Sequence, residues 1–96
     1  MDYAAIVSLI ESGQLVFATP VYEDGRAILQ GDTVLAFDGA EHGKIVAVLA
    51  TEEDARANGA EHTGVYLDSK GESYFLGMEW LIQHPLRLVS RASGPN

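Results

Sequence analysis

The side chains best suited to acid–base or metal chemistry in this chain are its three histidines. His42 and His62 each follow a glutamate in a repeated tetrapeptide, Gly-Ala-Glu-His, at residues 39–42 and 59–62. Two Glu-His pairs could in principle bind one zinc ion, since imidazole and carboxylate groups are zinc ligands. Each pair, however, precedes an expected strand, and consecutive antiparallel strands begin at opposite ends of a sheet. We therefore expect no metal and no cofactor.

The third histidine, His84, could act as a general base in a cleft, so a small hydrolase using His84 is one alternative. No carboxylate or nucleophile lies close to it in sequence, which favours a structural role beside Pro85. The serines lack the context of a nucleophile elbow, and residues 39–43 precede a strand rather than the helix of a phosphate loop. The chain has no cysteine and hence no thiol nucleophile or disulfide. We expect no enzymatic activity.

The charge balance points to a different class of function. Fourteen acidic residues against six basic ones give a net charge of −8. Such a surface repels nucleic acid and anionic lipid and attracts basic partners, although surplus charge also keeps a small protein soluble. Tyrosine and tryptophan are favoured interface anchors because they bury much area at little conformational cost. The candidate residues for binding a basic protein are Glu41, Glu52, Glu53, Asp54, Glu61, Tyr66, Tyr74 and Trp80.

Trp80 has two interpretations. The favoured one is that its ring packs on the end of a β-barrel; the other is that it is an exposed anchor beside Tyr66 and Tyr74. The three carboxylates of residues 52–54 stand in an exposed turn, which is more typical of a solvated face than of a glycosidase site.

The N-terminal third is expected to form a helix and a hairpin. Apolar residues at Tyr3, Ile6, Val7 and Ile10 have helical spacing and predict a helix over residues 3–12. Asp2 is a candidate N-cap, and Gly13 a candidate left-handed stop. Residues 14–22 are extended and turn back through residues 23–26, where Asp-Gly favours a tight turn.

The rest of the chain predicts strands, at residues 33–37, 44–50, 63–68, 73–77 and 86–90. Residues 44–50 are apolar on both faces and should be covered on both. Thr51 should cap a short helix over residues 51–57. If Lys70 and Gly71 form a two-residue turn, Leu67 faces Tyr74, Tyr66 faces Phe75 and Val65 faces Leu76. The Tyr66/Phe75 face then needs a cover, either the N-terminal helix or a partner. Residues 79–83 should form a single helical turn.

This order of strands resembles an SH3-like barrel, and the Gly31-Asp32-Thr33-Val34 and Gly43-Lys44-Ile45-Val46 segments are similar to the glycine-punctuated opening of KOW-type members of that superfamily. The resemblance covers roughly residues 31–91. It implies a mainly β (α+β) fold with a five-stranded barrel, to which the N-terminal helix and hairpin are added. It also implies an association with RNA or with the transcription and translation machinery, which remains an alternative. The basic residues are too few and too dispersed to predict a track for a phosphate backbone, which argues against nucleic-acid binding.

A chain of 96 residues suits one domain, residues 1–96, with a helix and hairpin extension (1–30), the barrel (31–91) and a flexible tail (92–96). The lack of cysteine and of a basic, apolar leader leads us to expect a cytoplasmic location without membrane attachment. We expect a non-catalytic, acidic protein-interaction module that is regulatory or accessory. An inhibitor or immunity-type protein that binds a basic partner is the more specific form.

Overall fold

One antiparallel sheet dominates the computed structural model, which describes residues 3–13, 17 and 19–91. The elements are α1 (Tyr3–Glu11), β1 (Thr33–Ala36), β2 (Glu41–Leu49), α2 (Glu52–Ala57), β3 (Gly64–Ser69), β4 (Glu72–Gly77), α3 (Met78–Gln83) and β5 (Arg87–Ser90). The strands lie in the order β4-β3-β2-β1-β5. The predicted α+β fold with a dominant sheet is confirmed. The predicted Asp2 cap, most of the run from residue 14 to 18 and the tail at 92–96 fall outside the described residues.

The sheet is open. β4 and β5 form its two edges, and no ladder joins them within the described residues. Closure into an SH3-like barrel, which the sequence led us to expect, is therefore not confirmed. Barrel closure needs strands long enough to tilt and stagger around an axis, whereas β1 and β5 have only four residues each.

The turn between β1 and β2 is tighter than the sequence suggests. Phe37, Asp38 and Gly39 follow one another in left-handed backbone conformations, with φ of 53°, 58° and 87°. Such values are uncommon for residues other than glycine. They reverse the chain within residues 37–40, so that Ala36 pairs with Glu41. β2 thus begins at Glu41, not at the predicted residue 44, and Phe37 belongs to the turn rather than to β1.

A register shift between Ile45 and Ala47 interrupts the pairing of β2 with β3. The extra residue breaks the alternation of side chains between the two faces. Ile45 is fully buried, whereas Val46 is 36% exposed. The expectation that both faces of β2 are covered along its length is therefore wrong at Val46.

The β3–β4 hairpin has the predicted register, with Leu67 opposite Tyr74, Tyr66 opposite Phe75 and Val65 opposite Leu76. Its turn places both Lys70 and Gly71 at positive φ, 52° and 80°. Two consecutive positive values are those of a type I′ turn, whose twist matches that of the flanking strands.

α1 and α3 pack against the core through their apolar residues. Ile6 of α1 is fully buried, Gly13 has a φ of 78°, and α1 contacts α3. The Thr51 hydroxyl accepts a hydrogen bond from the Asp54 N–H at 3.1 Å, which confirms the predicted cap of α2. α3 is a six-residue α-helix rather than a single turn, because Met78 and Leu81, three residues apart, are both buried in the core.

The residues before β1 form a short hairpin around a buried carboxylate. Val21 and Ala27 form one isolated bridge across the predicted turn at residues 23–26. The Tyr22 hydroxyl donates to the Asp32 carboxylate at 2.5 Å, and the Leu29 N–H donates to the same oxygen at 3.0 Å. Arg91, just after β5, lies 3.4 Å from that oxygen. This network ties the hairpin to the start of β1 and to the end of β5.

Candidate functional site

Four aromatic rings form a row at the end of the sheet where β1 turns into β2. Tyr74 and Phe37 meet edge to face, with ring centroids 5.3 Å apart. Phe37 and Trp80 follow at 6.2 Å, and Trp80 stacks on His84 at 3.9 Å. All four residues are half-buried. We call the set Phe37, Tyr74, Trp80 and His84 the aromatic row.

Three different elements position these rings. Tyr74 lies on the core-facing side of β4, and the left-handed turn projects Phe37 towards it. Trp80 and His84 are four residues apart at the end of α3, and this spacing places side chains on the same face of a helix. The row therefore exists only when turn, edge strand and helix are all in place.

Carboxylates border the aromatic row. Both oxygens of Asp38 lie within hydrogen-bonding range of His84 Nδ1, at 3.2 and 3.3 Å. Glu72 accepts a hydrogen bond from the Tyr74 hydroxyl at 2.9 Å. Glu41, the first residue of β2, pairs with Lys70 of the β3–β4 turn at 3.1 Å. The bond to Glu72 is the main cause that raises the pKa of Tyr74, and the negative charge of Glu41 contributes.

The structure brings together only some of the predicted partner-binding residues. Glu41, Tyr74 and Trp80 belong to the aromatic row or its border. The remaining carboxylates, Glu52, Glu53, Asp54 and Glu61, lie beyond the other end of β2, where α2 and the loop before β3 are located. β2 spans about 26 Å, which places Glu41 far from those four carboxylates. Trp80 lies between the two ends, since the neighbouring Glu79 is 3.8 Å from His62. The predicted acidic residues thus form two separate regions.

Tyr66 lies apart from both groups. It pairs with Phe75, and their rings are 5.2 Å apart. Because side chains alternate along a strand, this pair occupies the face opposite that of Tyr74. Phe75 remains 38% exposed, so α1 does not provide the expected cover for this face.

Four residues of the site were not among the predicted partner-binding residues: Phe37, Asp38, Glu72 and His84. The four-residue spacing of Trp80 and His84 could have predicted their stacking, because residues four apart lie on the same face of a helix. The Asp38–His84 contact had no such signal, because 46 positions separate the two residues. His84 does have a partner carboxylate, which the fold brings to it from a distant part of the chain.

A cleft of about 600 Å³ adjoins the row, and Asp38, which borders the row, also lines this cleft. Leu35, Leu86 and Leu88 supply apolar walls, while Arg26 and Arg87 supply positive charge. Arg26 is neutralised locally by Asp24 at 2.7 Å, and the Arg26 backbone N–H is the main cause that lowers the pKa of Asp24. The cleft therefore extends the site with a surface of mixed charge.

Within the described residues, no group of three or more histidine, aspartate or glutamate side chains could hold a metal ion. His62 lies just before β3, as predicted, whereas Glu41 and His42 are the first two residues of β2 rather than preceding it. The two histidines nevertheless lie at opposite ends of that strand pair, as expected. No described helix combines the length and apolarity that crossing a membrane requires. Neither family models, nor curated proteins, nor solved structures give a match to this chain.

Proposed function

We propose that this chain is a cytoplasmic protein-interaction module that binds a basic segment of a partner protein on the aromatic row. The observation that carries this proposal is the continuous row Tyr74–Phe37–Trp80–His84 with carboxylates on its border. The function is regulatory or accessory, and an inhibitor or immunity-type protein is its more specific form.

The chemistry of the row suits lysine and arginine side chains. A cation over the face of a tryptophan or tyrosine ring gains about 0.5–2 kcal/mol. The carboxylates of Asp38, Glu41 and Glu72 attract such a cation and hold its head group at the border of the row. The net charge of −8 raises the rate of encounter with a basic partner from any direction.

The second acidic region, around Glu52, Glu53, Asp54 and Glu61, lacks part of this arrangement. Glu52 is paired with Arg56 at 2.7 Å, as Glu41 is with Lys70 at 3.1 Å, so the surrounding aromatic rings, not ion pairing, distinguish the two regions. Phe17 is the aromatic ring that contacts this helix in the described residues, and Arg56 of the same chain lies 5.3 Å from its centroid. This region contributes long-range attraction, while the aromatic row makes the contacts.

The two regions allow a charge-matched experiment. One variant combines Asp38→Asn with Glu72→Gln, and the control combines Glu52→Gln with Glu53→Gln, so that both lose the same charge. Asparagine tolerates the left-handed backbone at position 38. The measurement is the affinity for a lysine- and arginine-rich peptide at low and at physiological salt, with an RNA oligonucleotide as a second ligand.

We expect the first variant to bind the peptide roughly 3- to 10-fold more weakly and the control to stay within about 2-fold. Equal weakening in both variants would mean that net charge alone drives binding and would refute the site. Tight binding of RNA that weakens steeply with added salt would instead favour the KOW-like alternative.

The Asp38–His84 contact supports a second candidate, acid–base catalysis. A carboxylate on Nδ1 holds an imidazole in one tautomer and orientation, as the orienting group of a general base does. A hydrolase of this kind predicts turnover of a model ester that is lost in a folded His84→Ala variant. No turnover in the wild-type chain would leave the binding function as the better proposal.

The finer fold assignment is also a proposal. The order β5-β1-β2-β3-β4, with a helix before β5, supports a relation to SH3-like barrels in which the sheet stays open. An experimental structure with backbone hydrogen bonds linking β5 to β4 would show closure.

A further inference from the structure

β4 (Glu72–Gly77) is an edge strand, and no described segment covers or pairs with its outer side. It pairs with β3 over six residue pairs without a register shift. Natural edges are commonly blunted by proline, lysine, a bulge or a covering segment. β4 contains no proline or lysine, and both Ser73 and Phe75 are exposed.

The hydrogen bonding shows which backbone groups of β4 face outward. The Met78 N–H donates to the Thr63 carbonyl at 2.9 Å, and Thr63 is the register partner of Met78 when the ladder is continued by one pair. Hydrogen-bonded and non-hydrogen-bonded pairs alternate in an antiparallel ladder. Every second residue back from Met78 is therefore hydrogen-bonded: the backbone N–H and C=O groups of Leu76, Tyr74 and Glu72 bond to β3. The N–H and C=O groups of Ser73 and Phe75 and the N–H of Gly77 therefore point away from the sheet, whereas the Gly77 carbonyl, at the N-cap of α3, accepts the first hydrogen bond of that helix.

These outward-facing residues are symmetric about Phe75. We propose that two copies of this chain associate by antiparallel pairing of their β4 edges across a two-fold axis at Phe75. Phe75 then pairs with its counterpart, and Ser73 pairs with Gly77 of the second copy. The Phe75 pair exchanges two hydrogen bonds, and the Gly77 N–H of each copy donates to the Ser73 carbonyl of the other, about four bonds in all. The sheet becomes continuous across both copies.

Side chains on the outer face fit this register. The two Phe75 rings lie next to each other, and each is backed by Tyr66 of its own chain at 5.2 Å. This contact buries the side of each Phe75 ring that faces its counterpart, while the face of the sheet itself stays open. A second copy pairs both backbone groups of Phe75, the Ser73 carbonyl and the Gly77 N–H at once, because the axis maps Ser73 onto the position opposite Gly77.

Charge is complementary at the ends of the paired strands. Glu72 is the one charged residue of β4, and the register places the two Glu72 residues at opposite ends of the junction. The Lys70 turn of one copy lies beside the start of α3 in the other copy. That start carries Glu79, and the Glu79 side chain is 66% exposed. The overall charge of −8 on each copy still opposes association, so added salt should strengthen it.

Sedimentation of the whole chain tests the pairing. We expect a concentration-dependent dimer that becomes tighter as salt rises. Phe75→Lys and Phe75→Glu should each be monomeric, because like charges face each other at the axis, and an equimolar mixture of the two should form a heterodimer. Val89→Lys, on the opposite edge strand and 49% exposed, is the matched control and should still dimerise.

Cross-linking tests the register without altering Phe75. The chain has no cysteine, so Ser73→Cys and Gly77→Cys each introduce one thiol. Paired residues of a ladder lie about 5.5 Å apart at Cα, within disulfide range. A disulfide should form between the two variants when they are mixed, but not within either variant alone.

A wild-type chain that stays monomeric at millimolar concentration in high salt would overturn the proposal, as would a dimer that Phe75→Lys does not weaken or a mixture that forms no disulfide. Failure here is distinct from failure of the proposed function, because binding of a basic peptide weakens with salt whereas this self-association strengthens.

Discussion

The buried carboxylate of Asp32 shows how much of this fold depends on single residues. Asp32 is 1% exposed, and its Oδ1 has no hydrogen-bond partner within the described structure. Its other oxygen receives the Tyr22 hydroxyl and the Leu29 N–H and lies near Arg91. Removing a hydrogen-bond donor from a buried carboxylate destabilises the folded protein, because the carboxylate stays desolvated without a partner.

Tyr22→Phe should therefore lower the free energy of unfolding at pH 7 by roughly 1–3 kcal/mol. Burial, with the hydrogen bond to Asp32, raises the pKa of Tyr22 far above its ordinary value. The folded chain then retains a proton that the unfolded chain loses above about pH 10. Stability from this group is present below pH 10 and falls as the pH rises further, so wild type and Tyr22→Phe should converge there. Denaturant titrations at pH 7 and above pH 10 check this.

Tyr74→Phe is the matched control, because its hydroxyl bonds to Glu72 at the surface. It should lower stability much less at pH 7. An equal loss in both variants would contradict the role given to the buried Tyr22–Asp32 bond.

Single residues were also the hardest part to predict from sequence. Their residue types marked Tyr74 and Trp80 as candidate anchors, but nothing in the sequence indicated that Phe37 bridges them. That bridge depends on three successive left-handed residues, two of which are not glycine. Propensity rules assign such a conformation to glycine or asparagine, so tertiary packing overrides the local preference here.

At the level of elements, the β3–β4 hairpin was predictable because register follows from turn length. A two-residue turn at Lys70-Gly71 leaves only one alignment of Leu67 with Tyr74. The start of β2 was not predictable, because the sequence of residues 38–43 is typical of a long polar turn. The left-handed backbone of Phe37–Gly39 shortens this turn, so that β2 already begins at Glu41. Closure of the sheet depends on strand tilt and length in three dimensions, which no local pattern specifies.

Lys70→Asn should stabilise the hairpin. Lys70 has a φ of 52°, where asparagine is more favourable, and Asn-Gly is the preferred type I′ pair. The lost ion pair with Glu41 matters little, because the Lys70 side chain is 74% exposed. We expect about 0.5 kcal/mol of added stability, measured as a higher denaturation midpoint. A lower midpoint would show that the ion pair outweighs the turn.

Gly64 and Gly77 are cross-strand partners with opposite tolerance for a side chain. A Cβ at Gly64 would collide with the Leu76 carbonyl and lie 2.9 Å from the Phe75 ring. At Gly77, with a φ of −76°, it would lie 3.5 Å from that ring, which is an ordinary contact. Gly64→Ala should lower the unfolding free energy by roughly 1–3 kcal/mol, and Gly77→Ala should change it by less than about 1 kcal/mol. Thermal denaturation of both variants checks this, and similar losses would contradict the packing.

At the level of the whole molecule, the structure divides the acidic surface into two regions with different surroundings. Composition predicted the attraction of basic partners, because net charge needs no fold. It could not predict which carboxylates lie beside aromatic rings, since that follows from strand pairing and from the path of α3.

The most direct measurement is an amide NMR perturbation map of the isotopically labelled chain with a lysine- and arginine-rich peptide. We expect the largest shifts at the 37–41 turn, at residues 72–74 and at Trp80–His84, with the Trp80 indole N–H among them, and loss of these shifts at high salt. Shifts centred on residues 52–61, or none at low salt, would contradict the aromatic row as the binding site.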